Sequence, residues 1–114
     1  MTKPVLEISV QELSLRLQQS NLLPQLIDVR EPHEAAIAHI EGFDLLPLSD
    51  FARWSEEILK KYDPERETFV LCHHGMRSER MCQWLRNIGF TQVKNVIGGI
   101  DAYAREVDPS LPRY

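Results

Sequence analysis

The sequence predicts an α/β fold, on the strength of three observations. Short apolar runs alternate with stretches of helical period along the whole chain, the pattern of strands and helices layered on one sheet. One run, Thr68 to Cys72, is β-branched, aromatic and apolar throughout, the mark of a strand buried on both faces. With 114 residues, 43% of them apolar, the chain can bury roughly two thirds of its unfolded surface without a staple. We expect a single domain over residues 1–114.

Each element has its own signal. Val5 to Ile8 reads as a first short strand. Ser9 followed by Glu12 reads as a capping box for a helix whose apolar positions are Val10, Leu13 and Leu17, ended by Asn21 and Pro24. Gln25 to Val29 is a buried strand, and Pro32, after Glu31, sits where a helix can begin, with His33 to Ile37 as its short body. Phe43 to Leu48 is a further short strand. Ser49 then caps a helix carrying Phe51, Trp54, Ile58 and Leu59, with Pro64 in the turn that follows. After Thr68 to Cys72, the residues Met81, Cys82, Leu85 and Ile88 line one side of a helix that Gly89 terminates. Val93 to Ile97 is the last strand, Gly98-Gly99 a tight turn, and Ile100 to Val107 the last helix.

Composition excludes several classes. Two cysteines, Cys72 and Cys82, make no disulfide framework, so a reducing compartment is expected. The opening Met1-Thr2-Lys3-Pro4 carries no apolar segment of signal-peptide length, and no stretch approaches bilayer-spanning length. The expected location is cytoplasmic, with no membrane partner. A formal net charge of -4 argues against nucleic acid as a partner.

The chemistry concentrates in "FVLCHHGMRSERM", residues 69–81. Cys72 falls at the carboxyl end of a strand with a helix just beyond, the edge where open α/β sheets place ligands. A structural cysteine is a small buried hydrophobe, but two histidines, a glycine and an arginine do nothing for packing beside it. As metal ligands, Cys72, His73 and His74 are adjacent and do not converge on one tetrahedral ion, and His33 and His39 lack a second cysteine knuckle; no metal site is expected. A nucleophilic thiolate fits better. Gly75 lets the loop turn so that N–H groups face inward, the following helix offers its positive end, and Arg77 adds a permanent charge. His73 and His74 read equally well as weak cations of the cradle or as solvated surface groups. Cys82, on the inward face of its helix, is expected to be inert.

Two families use such a cradle. Tyrosine-phosphatase-like enzymes place five residues between cysteine and arginine, enough for a phosphate or arsenate. Here His73, His74, Gly75 and Met76 alone intervene, and the loop from Cys72 to Arg77, followed by Ser78, resembles the active-site loop of rhodaneses, which carry one sulfur as a cysteine persulfide. "LIDVREPHE", residues 26–34, is similar to the rhodanese segment in which an apolar strand ends in Asp-Val-Arg and a Glu follows. "AHIEG", residues 38–42, resembles the Gly-His-Ile-x-Gly segment, and "NVIGGIDAY", residues 95–103, the closing Gly-Gly helix start. The resemblance covers residues 5–107.

It implies a three-layer rhodanese-like fold with a mainly parallel sheet and helices on both faces. It also implies a thiosulfate sulfurtransferase-type enzyme that moves a sulfane sulfur from thiosulfate or a persulfide to cyanide or a thiol through a Cys72 persulfide. Residues His73, His74, Gly75, Met76, Arg77 and Ser78 would hold substrate and persulfide, with no metal or organic cofactor. Asp28, Arg30 and Glu34 read as a charged cluster fixing a turn, and His39 as a hydrogen bonder at the core edge. Three departures stand out: Ala38 replaces the usual glycine, Tyr103 a common tryptophan, and His73 the arginine or lysine of many thiosulfate-using members. A histidine is neutral much of the time near pH 7, which weakens the case for thiosulfate. The loop is also similar to that of rhodanese domains fused to activating enzymes of ubiquitin-like proteins, which implies a sulfur-carrier or other acceptor protein as partner. A non-catalytic binding or sulfur-sensing module is the alternative, and a small phosphatase or arsenate reductase a third reading.

Overall fold

The computed structural model describes residues 4–19 and 23–114. Five parallel strands form one sheet, β1 (Leu6–Ile8), β2 (Gln25–Asp28), β3 (Asp44–Leu45), β4 (Thr68–Leu71) and β5 (Val93–Val96), in the order β1-β5-β4-β2-β3. Period-2 alternation divides the three central strands between two cores. Leu26, Phe69, Leu71 and Val96 face one side, where α1 (Val10–Gln18) and α6 (Gly99–Glu106) cover them. Ile27, Val29, Val70, Cys72 and Val93 face the other. There they meet Trp54 of α3 (Phe51–Trp54), Ile58 of α4 (Ile58–Lys61) and Met81, Cys82 and Leu85 of α5 (Met76–Asn87). Among the described residues no helix is long and apolar enough to cross a membrane.

Local chemistry explains the boundaries. Ser9 caps α1 by accepting from the Glu12 N–H at 3.1 Å, and Val10 and Leu13 are its buried residues, each contributing about 1.5–3 kcal/mol through burial. The helix closes at Gln18; Asn21, expected to end it, lies outside the described residues. Pro32 opens α2 (Pro32–Ile37). At the end of α5, the Gly89 N–H donates to Arg86 O and the Phe90 N–H to Leu85 O, a Schellman closure with Gly89 at φ +111°.

Residues 43–61 depart from expectation. The strand predicted from Phe43 to Leu48 pairs only over Asp44–Leu45. The single helix predicted after Ser49 is a chain of short turns, 3-10 over Leu48–Asp50, α3, 3-10 over Ser55–Glu57, then α4. Ser49 caps nothing: its hydroxyl and its N–H both donate to Glu31. Phe51, Trp54 and Ile58 still turn inward, because 3-10 and α turns both bring residues three apart to similar faces. Trp54 also anchors its Nε1–H on Pro47 O at 2.7 Å. Leu59 falls outside that face and is 54% exposed.

Strand order matters most for function. From β2 the chain moves outward to β3, whereas from β4 it moves the other way to β5. Adjacent strands whose connections diverge leave a crevice beyond their carboxyl ends. The segments at this crevice are Val29 to Glu34 and Cys72 to Arg77.

Candidate active site

Cys72 is the first residue beyond β4 and is 1% exposed. Gly75 adopts φ +104° at the N-cap of α5, a left-handed conformation that side chains rarely take, and so turns the loop back into the helix. The rear of the loop rests on α6. Ile100 N–H donates to Cys72 O at 2.9 Å and Asp101 N–H to His73 O at 3.1 Å. Only a glycine at 99 permits this approach, since a Cβ there would lie 2.4 Å from both carbonyl oxygens. Because a trans peptide points its N–H opposite its C=O, carbonyls held by α6 turn the His73 and His74 N–H groups away from it.

The sulfur accepts the Gly75 N–H at 3.0 Å and lies 3.1 Å from Ser78 Oγ. Ser78 Oγ is also 2.5 Å from Asn95 Oδ1, while Asn95 Nδ2 donates to Gly75 O at 2.9 Å. That last bond fixes the amide, so Oδ1 can only accept. The hydroxyl has one proton for two acceptors. With a thiol at Cys72, the S–H donates to Oγ and the hydroxyl to Asn95; with an anionic sulfur, the hydroxyl is free to turn to sulfur. The first N–H groups of α5 have no intrahelical acceptor and add the positive end of the helix.

Arg77 does not stand free. Its two terminal nitrogens clasp Glu34 at 2.7 and 2.8 Å, bridging α5 to α2 across the crevice. The Arg77 hydrogen bond, helped by the Glu31 N–H and the Tyr114 hydroxyl against the effect of burial, holds the Glu34 carboxyl at about 2. The Tyr114 hydroxyl donates to Glu34 Oε2 at 3.0 Å and accepts from Arg30 Nη1 at 2.9 Å. Arg30 is fully buried, with Asp28 on its Nε and Nη2 and the carbonyls of Glu34 and Ala38 on its remaining donors. Asp28, Arg30 and Glu34 therefore form one connected network with Arg77.

The Tyr114 ring stacks on His73, centroids 3.9 Å apart and planes at 6°, and His73 in turn meets His74 at 3.9 Å. Burial first and His74 second push the His73 imidazole below its ordinary value, which disfavours its charged form. His74 Nδ1 lies 4.0 Å from Asp101 Oδ2. Cys72, His73, His74, Met76, Arg77 and Arg80 line an open pocket of roughly 360 Å³. His39 is not part of this constellation. It is exposed, makes no hydrogen bond among the described residues, and lines a separate cleft with Ile40 and Tyr103. Cys82 lies in the core, where burial pushes its thiol up to about 12.

Asn95 and Tyr114 belong to the site; Asn95 opens the segment NVIGGIDAY without the sequence giving it a role there, and Tyr114 lies outside every motif. Asn95 left a signal, a polar amide at a 5% exposed position inside a strand. Tyr114 left none, being one aromatic in an aperiodic stretch far from the residues it touches.

Comparison with known proteins places this arrangement. The profile of the Rhodanese-like domain matches residues 9–106. The chain is 46% identical, over 98% of its length, to rhodanese-like/PpiC domain-containing protein 12, chloroplastic, of Arabidopsis thaliana, of which it spans 38%. It is 40% identical over 78% of its length to adenylyltransferase and sulfurtransferase MOCS3-1 of Zea mays, spanning 20% of that protein. Among solved structures, a rhodanese-like domain protein from Staphylococcus aureus superposes with a TM-score of 0.77 at 25% identity, covering 96% of this chain and 99% of the other.

Proposed function

Because the chain belongs to the rhodanese family and has sulfurtransferases among its relatives, we propose that it moves a sulfane sulfur from a donor to a thiophilic acceptor through a persulfide on Cys72. The observation that carries this reading is the Cys72 sulfur itself, held by the Gly75 N–H and Ser78 Oγ at the mouth of a pocket. The loop count supports it over a phosphatase, for four residues between Cys72 and Arg77 leave no ring of donors for a tetrahedral oxyanion.

The Cys72 thiolate attacks the outer sulfur of the donor. With thiosulfate, a Cys72 S–S bond forms, the donor S–S bond breaks, and sulfite leaves with the electron pair, giving Cys72–S–S⁻. Cyanide or a thiolate, free or on an acceptor protein such as a sulfur carrier, then attacks the terminal sulfur. The Cys72 thiolate departs as leaving group. Loop N–H groups and the Ser78 hydroxyl stabilise the anion in both states. The chemistry calls for no metal or organic cofactor, and a reducing cytoplasmic setting keeps the thiol available.

Intact mass spectrometry after incubation with thiosulfate, or with a small-molecule persulfide, tests the proposal. The wild type should gain one sulfur mass and lose it to cyanide, while Cys72→Ser should gain nothing and turn over at background rate with its fold intact. No gain from either donor class would overturn the reading. Sulfur uptake without steady-state turnover would mean a sensing module instead.

A further inference from the structure

We propose that Arg80 is the specificity-determining cation of this pocket, the group that draws an anionic sulfur donor toward Cys72; the inference rests on the sulfurtransferase reading and deepens it. The pocket wall carries His73, His74, Arg77 and Arg80 as its cationic candidates. Arg77 is spent, because both terminal nitrogens lie on Glu34 within 2.8 Å and the pair is neutral as a unit. His73 is wedged between the rings of Tyr114 and His74, a setting that disfavours its charged form. His74 faces Asp101, which already receives Arg105 and Arg113. Arg80 differs from all three. It follows Arg77 by three residues on α5, which places it on a neighbouring face of the same helix. It is exposed, and no carboxylate lies within ion-pair distance of it among the described residues.

An uncompensated guanidinium attracts an anion across several ångströms of water, most strongly a dianion and least at high salt. Pairing with Glu34 prevents Arg77 from doing the same, since a donor would have to displace a bidentate partner. The arginine next to the sulfur thus braces the loop, and the one farther along the helix supplies the attraction.

The test reads charge at Cys72 separately from sulfur transfer. Iodoacetate and iodoacetamide are near-isosteric alkylating agents, one anionic and one neutral. The ratio of their second-order rate constants at Cys72 should fall roughly threefold or more in Arg80→Ala at low ionic strength, recover in Arg80→Lys, and converge with the wild type at about 0.5 M salt. In thiosulfate turnover, Arg80→Ala should raise KM by a comparable factor, falling on KM more than on kcat. An unchanged alkylation ratio in Arg80→Ala would overturn the role of Arg80 whatever the turnover shows. A reduced ratio in a protein whose wild type forms no persulfide would keep the charge effect, overturn the sulfurtransferase reading, and take the donor assignment with it.

Discussion

Strands β2 and β4 run side by side, end at the same edge, and are each followed by a buried polar cluster, yet the two ends do opposite things. Beyond β2, every donor of the Arg30 guanidinium is taken by Asp28, Tyr114 or a backbone carbonyl, and nothing is left to offer. Beyond β4, the Cys72 sulfur has the Gly75 N–H and a hydroxyl that can change partners, and it borders a pocket. Burial alone does not separate them, since both are essentially inaccessible. Saturation does: the closed network holds shape, and the open one has capacity for a reaction.

Breaking the closed end should cost the most stability. Asp28→Ala leaves a fully buried guanidinium without its carboxylate, an effect of about 3–5 kcal/mol, readable as a lower urea midpoint; a loss under about 1 kcal/mol would mean that the β2 end is not saturated as described. The bridge between the two ends comes next. Glu34 titrates near 2 in the folded chain against an ordinary 4.5, so its stabilisation is present above about pH 4.5 and is lost as the pH falls toward 2. That shift corresponds to roughly 3 kcal/mol, which solvent around the 37% exposed Arg77 side chain reduces to about 1–2 kcal/mol. Glu34→Gln should therefore flatten the fall in stability between about pH 5 and 2 by that amount, and an unaltered pH profile would show the bridge to be idle. Smallest of all is the effect at Cys82. Cys82→Ala should keep wild-type turnover and lose roughly 1 kcal/mol or less of stability, and native alkylation should modify one thiol per chain; labelling of both would remove the contrast between a core thiol and a pocket thiol.

The sequence carried the layered fold and the reactive loop because both are written locally. The run Thr68 to Cys72 announces a buried strand, and Gly75 and Arg77 announce a loop of defined size. The rhodanese-like resemblance supplied the parallel sheet, which periodicity cannot distinguish from an antiparallel one. Long-range pairing was not legible. Arg77 looked like a free cation for the donor, since nothing in the spacing of residues 34 and 77 says that α2 and α5 face each other across the crevice. Tyr114 escaped for the same reason, its hydrogen-bond partners lying 80 or more positions away along the chain. The helix predicted after Ser49 failed differently. Its apolar spacing was real, but the Glu31 carboxylate claimed the capping serine, and short turns satisfied the same spacing.

The backing of the sulfur loop by α6 gives the pocket a polarity. The carbonyl of Cys72 is taken by Ile100, that of His73 by Asp101, and that of Gly75 by Glu79 and Asn95. An arriving molecule therefore meets these three carbonyls already engaged and the His73 and His74 N–H groups turned away from α6. The backing is made almost wholly by main chain, so most side-chain substitutions in the loop leave it in place.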